Sequence, residues 1–240
     1  MYLETCAKCD HLNYVDEWWD DSDGTTNCYA AVPVQVTEGA VTGGINFSLG
    51  PVLLEFTQIN EDGFGNPENT SPEGRFNFMD EVYLGTINNS GGELWRYSDG
   101  TYWESLISPG FGNPENIAIE TTSGTFDNYF YAGTINSSNG AELWCSLDGE
   151  IWEQVFSEGL GDPYNWAAWS NGSGFNGSFY VQFANDVTGV EIWRSANGFD
   201  GWVQVGDDGF GDPNNRWALL YVIDDTLYVT LWNITTGAQI

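Results

Sequence analysis

Cys6 and Cys9, spaced C-x-x-C in "CAKC", are the first side chains along the sequence able to do chemistry. His11 and Cys28 follow them. These are zinc-donor types, and the first pair has the right spacing, but the His spacing fits no standard finger. Cys145 makes the cysteine count four, an even number that allows three connectivities. It stands where the sister segments of the chain carry Arg96 and Arg194, so the local structure does not demand a cysteine there. The preferred reading is a disulfide from Cys145 to Cys28 or to another of the N-terminal cysteines. Zinc at Cys6, Cys9, His11 and Cys28 is the rival, and free thiols are the third reading.

Other residues suggest cations or glycans. "DDSDG" at Asp20–Gly24 has part of the D-x-D-x-D-G calcium pattern. The first ligand position falls on Trp19, which cannot coordinate. Asp21 and Asp23 remain as candidate calcium ligands, set against a plain hairpin turn. No motif demands any other cofactor. Asn-x-Ser/Thr sequons occur at Asn46, Asn69, Asn88, Asn136, Asn171, Asn176 and Asn233. Three of them, Asn88, Asn136 and Asn233, share one position in a repeat described below. One reading is a row of glycans on one face of a secreted protein. The other is that asparagine is there because it tolerates left-handed turns. Catalysis finds little support. His11 is the only histidine, and no Ser/His/Asp set or phosphate-binding loop stands out. No carboxylate pair of the glycosidase kind can be named among 35 acidic residues. The expectation is a protein that is not an enzyme.

Charge narrows the partners. A formal charge of −30 with five Lys plus Arg opposes binding to nucleic acid or to an anionic membrane. No apolar run approaches the roughly 18 residues of a membrane span. The start, "MYLETCAKCDHL", lacks the cationic and apolar stretches of a secretory signal. Hydrophobic residues at 41%, with 16% aromatic, are enough for a substantial core.

The elements that must position these residues recur. "GFGNPEN" begins at Gly63 and again at Gly110, followed by "GLGDPYN" at Gly159 and "GFGDPNN" at Gly209. After each copy comes an apolar run ending in Asn88, Asn136, Asn185 or Asn233. A third element, "ELWRYSDGTYW", "ELWCSLDGEIW" and "EIWRSANGFDGW", follows the first three copies. Three elements in constant order at one period define a repeat. Within the second copy the apolar runs predict strands at 117–121, 129–135, 141–145 and 151–156. Four strands in such a repeat is the pattern of a propeller blade. The expected fold class is an all-β propeller of four-stranded blades, with four clear blades and a fifth, irregular one. The repeats are 63–109, 110–158, 159–208 and 209–240, with 35–62 irregular and 1–34 an N-terminal segment. The acidic and amide residues of the loops (Asn66, Asn113, Asp162 and Asp212, with Asn69, Asn116, Asn165 and Asn215) are read as turn caps.

"S-x-D-G-x-x-W" at Ser146–Trp152 resembles the Asp-box of sialidase-like β-propellers. An Asp-box usually has one more residue between its Asp and Gly. The resemblance covers the repeats, 63–240, and implies a fold and a structural turn rather than an activity. Sialidases also need three clustered arginines, and this chain has four arginines in all, with Arg96 and Arg194 at equivalent repeat positions. A sialidase is not expected.

The fourth repeat reaches Gln239 and Ile240 just as its third strand should begin. "EWWDDSDGTTN" aligns Trp19 with Trp95, and Ser22, Asp23 and Gly24 with Ser98, Asp99 and Gly100. It is a candidate for the missing hairpin, from the same molecule or from a neighbour. The sequence therefore predicts an extracellular or cell-surface, glycosylated structural or adhesive protein that self-associates. A lectin-like carbohydrate-binding module, using aromatic pockets between blades, is the alternative. A piece of a larger secreted propeller is a further one.

Overall fold

A computed structural model describes residues 29, 31–34, 38, 57–98, 100, 102–121, 124–170 and 174–240. Cys6, Cys9, His11, Trp19, Asp21, Ser22, Asp23, Gly24, Cys28, Asn46 and Asn171 lie outside the described residues, and with them the zinc, calcium and hairpin readings. The chain divides into two compact units, Met1–Gln58 and Ile59–Ile240. The second is all-β.

Its first repeat is an antiparallel meander of β1 (Ser71–Phe78), β2 (Glu81–Ile87), β3 (Leu94–Ser98) and β4 (Tyr102–Ser105). The second contains β5 (Ala118–Glu120), β6 (Thr125–Phe126), β7 (Tyr129–Ile135), β8 (Leu143–Ser146) and β9 (Glu153–Phe156). Here β5 and β6 both pair with β7, as two parts of one interrupted first strand. The third contains β10 (Asn165–Trp169), β11 (Phe179–Asn185), β12 (Glu191–Ser195) and β13 (Val203–Gln204). The fourth is the hairpin of β14 (Asn215–Ile223) and β15 (Thr226–Asn233). An antiparallel bridge from Leu231 to Gln239 marks where its third strand begins. Among the described residues the sheet does not close, and four units are seen.

The first and second strands of every unit meet in a two-residue turn with positive φ at both residues. These are Met79-Asp80, Asp127-Asn128, Asn176-Gly177 and Asp224-Asp225. Such a turn matches the twist of the strands it joins, and Asn, Asp and Gly accept it best. The loops that open each unit are short 3-10 turns in which a bulky residue is left-handed: Phe64, Phe111, Leu160 and Phe210, with φ of 54–60°. A large side chain there is strained. Two of the rings gain a stacking partner in return: Phe64 lies on Trp95 at 4.8 Å and Phe111 on Trp144 at 4.4 Å.

The core lies between successive units. Tyr83 and Leu94 of the first pack with Ile119 and Phe130 of the second. Tyr131 and Leu143 pack with Phe179 and Phe183, and Ile192 with Leu220 and Leu231. Each such side chain, fully buried, stabilises the fold by roughly 1.5–3 kcal/mol.

Two glycines set how closely the units approach. A Cβ on Gly85 would stand 1.7 Å from the Ile119 carbonyl oxygen, and one on Gly133 1.8 Å from that of Ala168. Without those atoms, the first strand of each unit reaches the second strand of the unit before, through the pairs Ile87–Ala118 and Ile135–Ala167. In β11 the same register position holds Gln182, and the next unit forms a separate sheet, β14–β15. A glutamine side chain there stands in place of a hydrogen atom. Gln182 is fully buried, with neither amide atom hydrogen-bonded.

Candidate functional site

The register that repeats the fold also builds a pocket. Four residues past the loop asparagines Asn69, Asn116, Asn165 and Asn215 stand Glu73, Glu120, Trp169 and Leu219. One comes from the first strand of each unit, and all four line a single cavity of about 750 Å³. Trp217, Trp232 and Ile234 extend its apolar wall, and Asp186 and Arg216 stand at it as well. Trp217 and Trp232 are opposite each other in the β14–β15 hairpin. Trp169 and Trp217 have ring centroids 5.1 Å apart, at an interplanar angle of 45°. Trp217 is 41% exposed and Trp232 52%, so ring surface is open to a ligand.

Glu73 and Glu120 meet in this pocket. A bulge at Gly74, where φ is +66°, interrupts the ladder beside Glu73. Gly85 and Gly133 lie opposite the two glutamates, and Gly85 lets β5 crowd against β1 and β2. The Thr121 hydroxyl donates to the Glu73 carbonyl at 3.4 Å, a long contact across the two units. Burial, then the neighbouring Glu73 charge and a hydrogen bond that the protonated Glu120 donates to that carboxylate, push the Glu120 carboxyl up to about 8. Glu120 therefore keeps its proton at neutral pH. Asp186 and Arg216 pair with each other at 3.7 Å.

The site can do two things chemically. Flat aromatic faces next to hydrogen-bonding carboxyls suit a ring that is apolar on its faces and polar at its edge. A carboxyl still protonated at neutral pH can also act as a general acid.

The other sequence-selected residues serve the fold. Asn88 and Asn136 are 2% and 0% exposed. Their Nδ2 atoms donate to Asn69 and Asn116 Oδ1 at 3.0 and 2.9 Å. Their own Oδ1 atoms accept the backbone N–H groups of Ser90 and of Ser138 and Asn139. Asn233 is 7% exposed and bonded to Asn215 and Asp212 in the same way. The turn reading accounts for these three, because the atom that would carry a glycan is already bonded inside the fold. Asn69 Nδ2 donates to the Gly63 carbonyl and to Glu93. Asn176 is an exposed sequon on a hairpin turn. Cys145 is a buried thiol, 1% exposed in the core cluster of Tyr131 and Phe179, and the cysteines proposed to pair with it lie outside the described residues. Burial pushes that thiol up to about 12. Ile240 is 90% exposed, and Gln239 exchanges both backbone hydrogen bonds with Leu231.

In the second and third units a hairpin turn joins the third strand to the fourth. Ser146 Oγ accepts from Gly149 N–H, and Asp148 Oδ1 from Glu150 and Ile151 N–H. Those two N–H groups hold the Asp148 carboxyl below its ordinary value. Ser195 and Asn197 repeat the arrangement. Each turn abuts the preceding unit, with Gly149 against the Tyr83 hydroxyl and Gly198 against that of Tyr131.

No protein-family model and no curated protein matches this sequence. Solved structures resemble parts of it distantly. One is a candidate glycoside hydrolase from Parabacteroides distasonis, at 15% identity and TM-score 0.41, covering 67% of this chain and 60% of that one. Another is the Bombyx mori GH32 β-fructofuranosidase, at 11% identity and TM-score 0.38, covering 67% and 40%. A third is an α-L-arabinofuranosidase from Clostridium thermocellum, at 14% identity and TM-score 0.36, covering 69% and 61%. The chain thus spans less than two thirds of the length of each. The expectation that this protein is not an enzyme is corrected here. The structures it resembles are glycoside-cleaving enzymes by description. Among the described residues no helix is long and apolar enough to cross a membrane.

Proposed function

We propose that this chain is a carbohydrate-binding propeller and that the pocket between its first strands is the sugar site. The observation that carries the reading is Trp169, Trp217 and Trp232 standing around Glu73 and Glu120 in one cavity. Aromatic faces cover the C–H faces of a pyranose, and the carboxyls receive its hydroxyls. The Ser146–Trp152 and Ser195–Trp202 turns support a companion proposal, that the repeats are of the Asp-box kind. Screening wild type and Trp217→Ala on an array of oligosaccharides tests the sugar site. Wild type is expected to retain a defined set of glycans and the variant to lose it. Retention of the same set by Trp217→Ala would overturn the reading.

Glycoside cleavage is favoured by the placement of Glu120, buried against Glu73, which pushes its carboxyl pKa up. Glycosidase carboxyls ordinarily stand about 5–5.5 Å apart when retaining and about 6.5–9.5 Å when inverting. Glu73 and Glu120 are in hydrogen-bond contact, so a substrate would have to part them. Release of reducing sugar from unactivated oligosaccharides by wild type, abolished in Glu120→Gln, is the expected outcome. Equal turnover by the variant would remove Glu120 as the acid.

Self-association at a cell surface is a second role, supported by the edge of β15. Among the described residues that edge carries one bridge, Leu231 to Gln239. An open edge is a template for another strand. Light scattering that finds a monomer at every concentration would dismiss it.

A further inference from the structure

We infer that the ligand of the central pocket bears a protonated amine, as an amino sugar does. This rests on the sugar-site reading and names its ligand class. Three indole faces beside two carboxyls form the kind of aromatic and acidic enclosure that holds an ammonium group. The positive charge at the wall, Arg216, pairs with Asp186 at 3.7 Å. The surrounding chain, at −30, draws cations toward it and turns uronates or sulfated sugars away. A neutral sugar would leave the carboxyl pair holding its proton, with hydroxyl contacts only.

The proton balance is definite. An incoming ammonium favours the ionised form of Glu120, whose O–H bond breaks with the electron pair left on the carboxylate and the proton passing to solvent; no other bond changes. Glu73 on β1 is the titratable group against Glu120. Asp186 and Arg216 are the other charges on the wall, and β10, β14 and β15 contribute tryptophan and leucine.

The experiment is calorimetric titration of the whole chain at mildly acidic pH, where the sugar amines arrive protonated, with the β-1,4-linked glucosamine tetramer and with its N-acetylated counterpart. Each is run in two buffers of different ionisation enthalpy, and the amine again with the Glu73→Gln/Glu120→Gln variant. The amine is expected to bind about tenfold tighter than the acetylated form, as a desolvated cation on aromatic faces allows. It should release up to about one proton per site. The double variant should lose that preference. Equal or weaker binding of the amine, with the acetylated sugar still bound, would overturn the inference and leave the sugar site standing. Absence of binding by both would overturn the two together. A preference that persists in the double variant would trace it to the acidic surface instead and overturn the inference. Should the variant fail to fold, proton release in wild type decides, and amine binding without release would contradict the assignment.

Discussion

Glu120 sits beside Glu73 because Gly85 lacks a side chain, and Gly133 does the same for the approach of β10 to β7. A methyl group on Gly133 would overlap the Ala168 carbonyl oxygen, and backbone cannot step aside cheaply. Gly133→Ala should lower stability by about 1–3 kcal/mol or more, the usual cost of overpacking, read from urea denaturation. The pair also leaves a signature in pH. Glu120 titrates near 8 when folded, against an ordinary 4.5, so the folded state binds a proton that the unfolded state has lost. Stability therefore falls as pH rises from about 4.5 to about 8 and levels beyond. Glu120→Gln should remove that component of the slope, giving a denaturation midpoint less dependent on pH than wild type over the same window. These two glutamates could not be picked from the sequence by type. The repeat shows itself where residues recur, whereas the pocket is built at one register position that reads Glu, Glu, Trp and Leu. Divergence at a fixed step after the loop asparagine was the available signal.

At the scale of elements the sequence was far more legible. Strands expected at 117–121, 129–135, 141–145 and 151–156 are found at 118–120, 129–135, 143–146 and 153–156. Dense aromatic and β-branched runs between Gly, Asn and Asp turns leave few alternatives. The sequon asparagines were harder, because glycan acceptor and turn cap demand the same residue. Asn136→Ala strips a buried cap and leaves Asn116 Oδ1 and the N–H groups of Ser138 and Asn139 without their partner. A loss of about 1–3 kcal/mol is expected in thermal unfolding. Glycopeptide mapping of secreted material should find sugar at Asn176 and none at Asn88, Asn136 or Asn233. The seam before β14 has its own test. Gln182→Met removes two unpartnered buried polar atoms at similar volume, and should be neutral or raise stability by up to about 1–3 kcal/mol.

For the molecule as a whole, the charge of −30 and the repeat excluded partners and fixed an all-β class, but left the ligand open. Four first strands converging on one cavity follow from stacking the units, and no single repeat encodes that cavity. The most direct measurement is a crystal structure of the chain soaked with an oligosaccharide that it binds. The account predicts a sugar ring against Trp169, Trp217 and Trp232, with a polar edge toward Glu73 and Glu120. A sugar lying instead on the outer Phe64–Trp95 or Phe111–Trp144 stacks, with the central pocket empty, would contradict it.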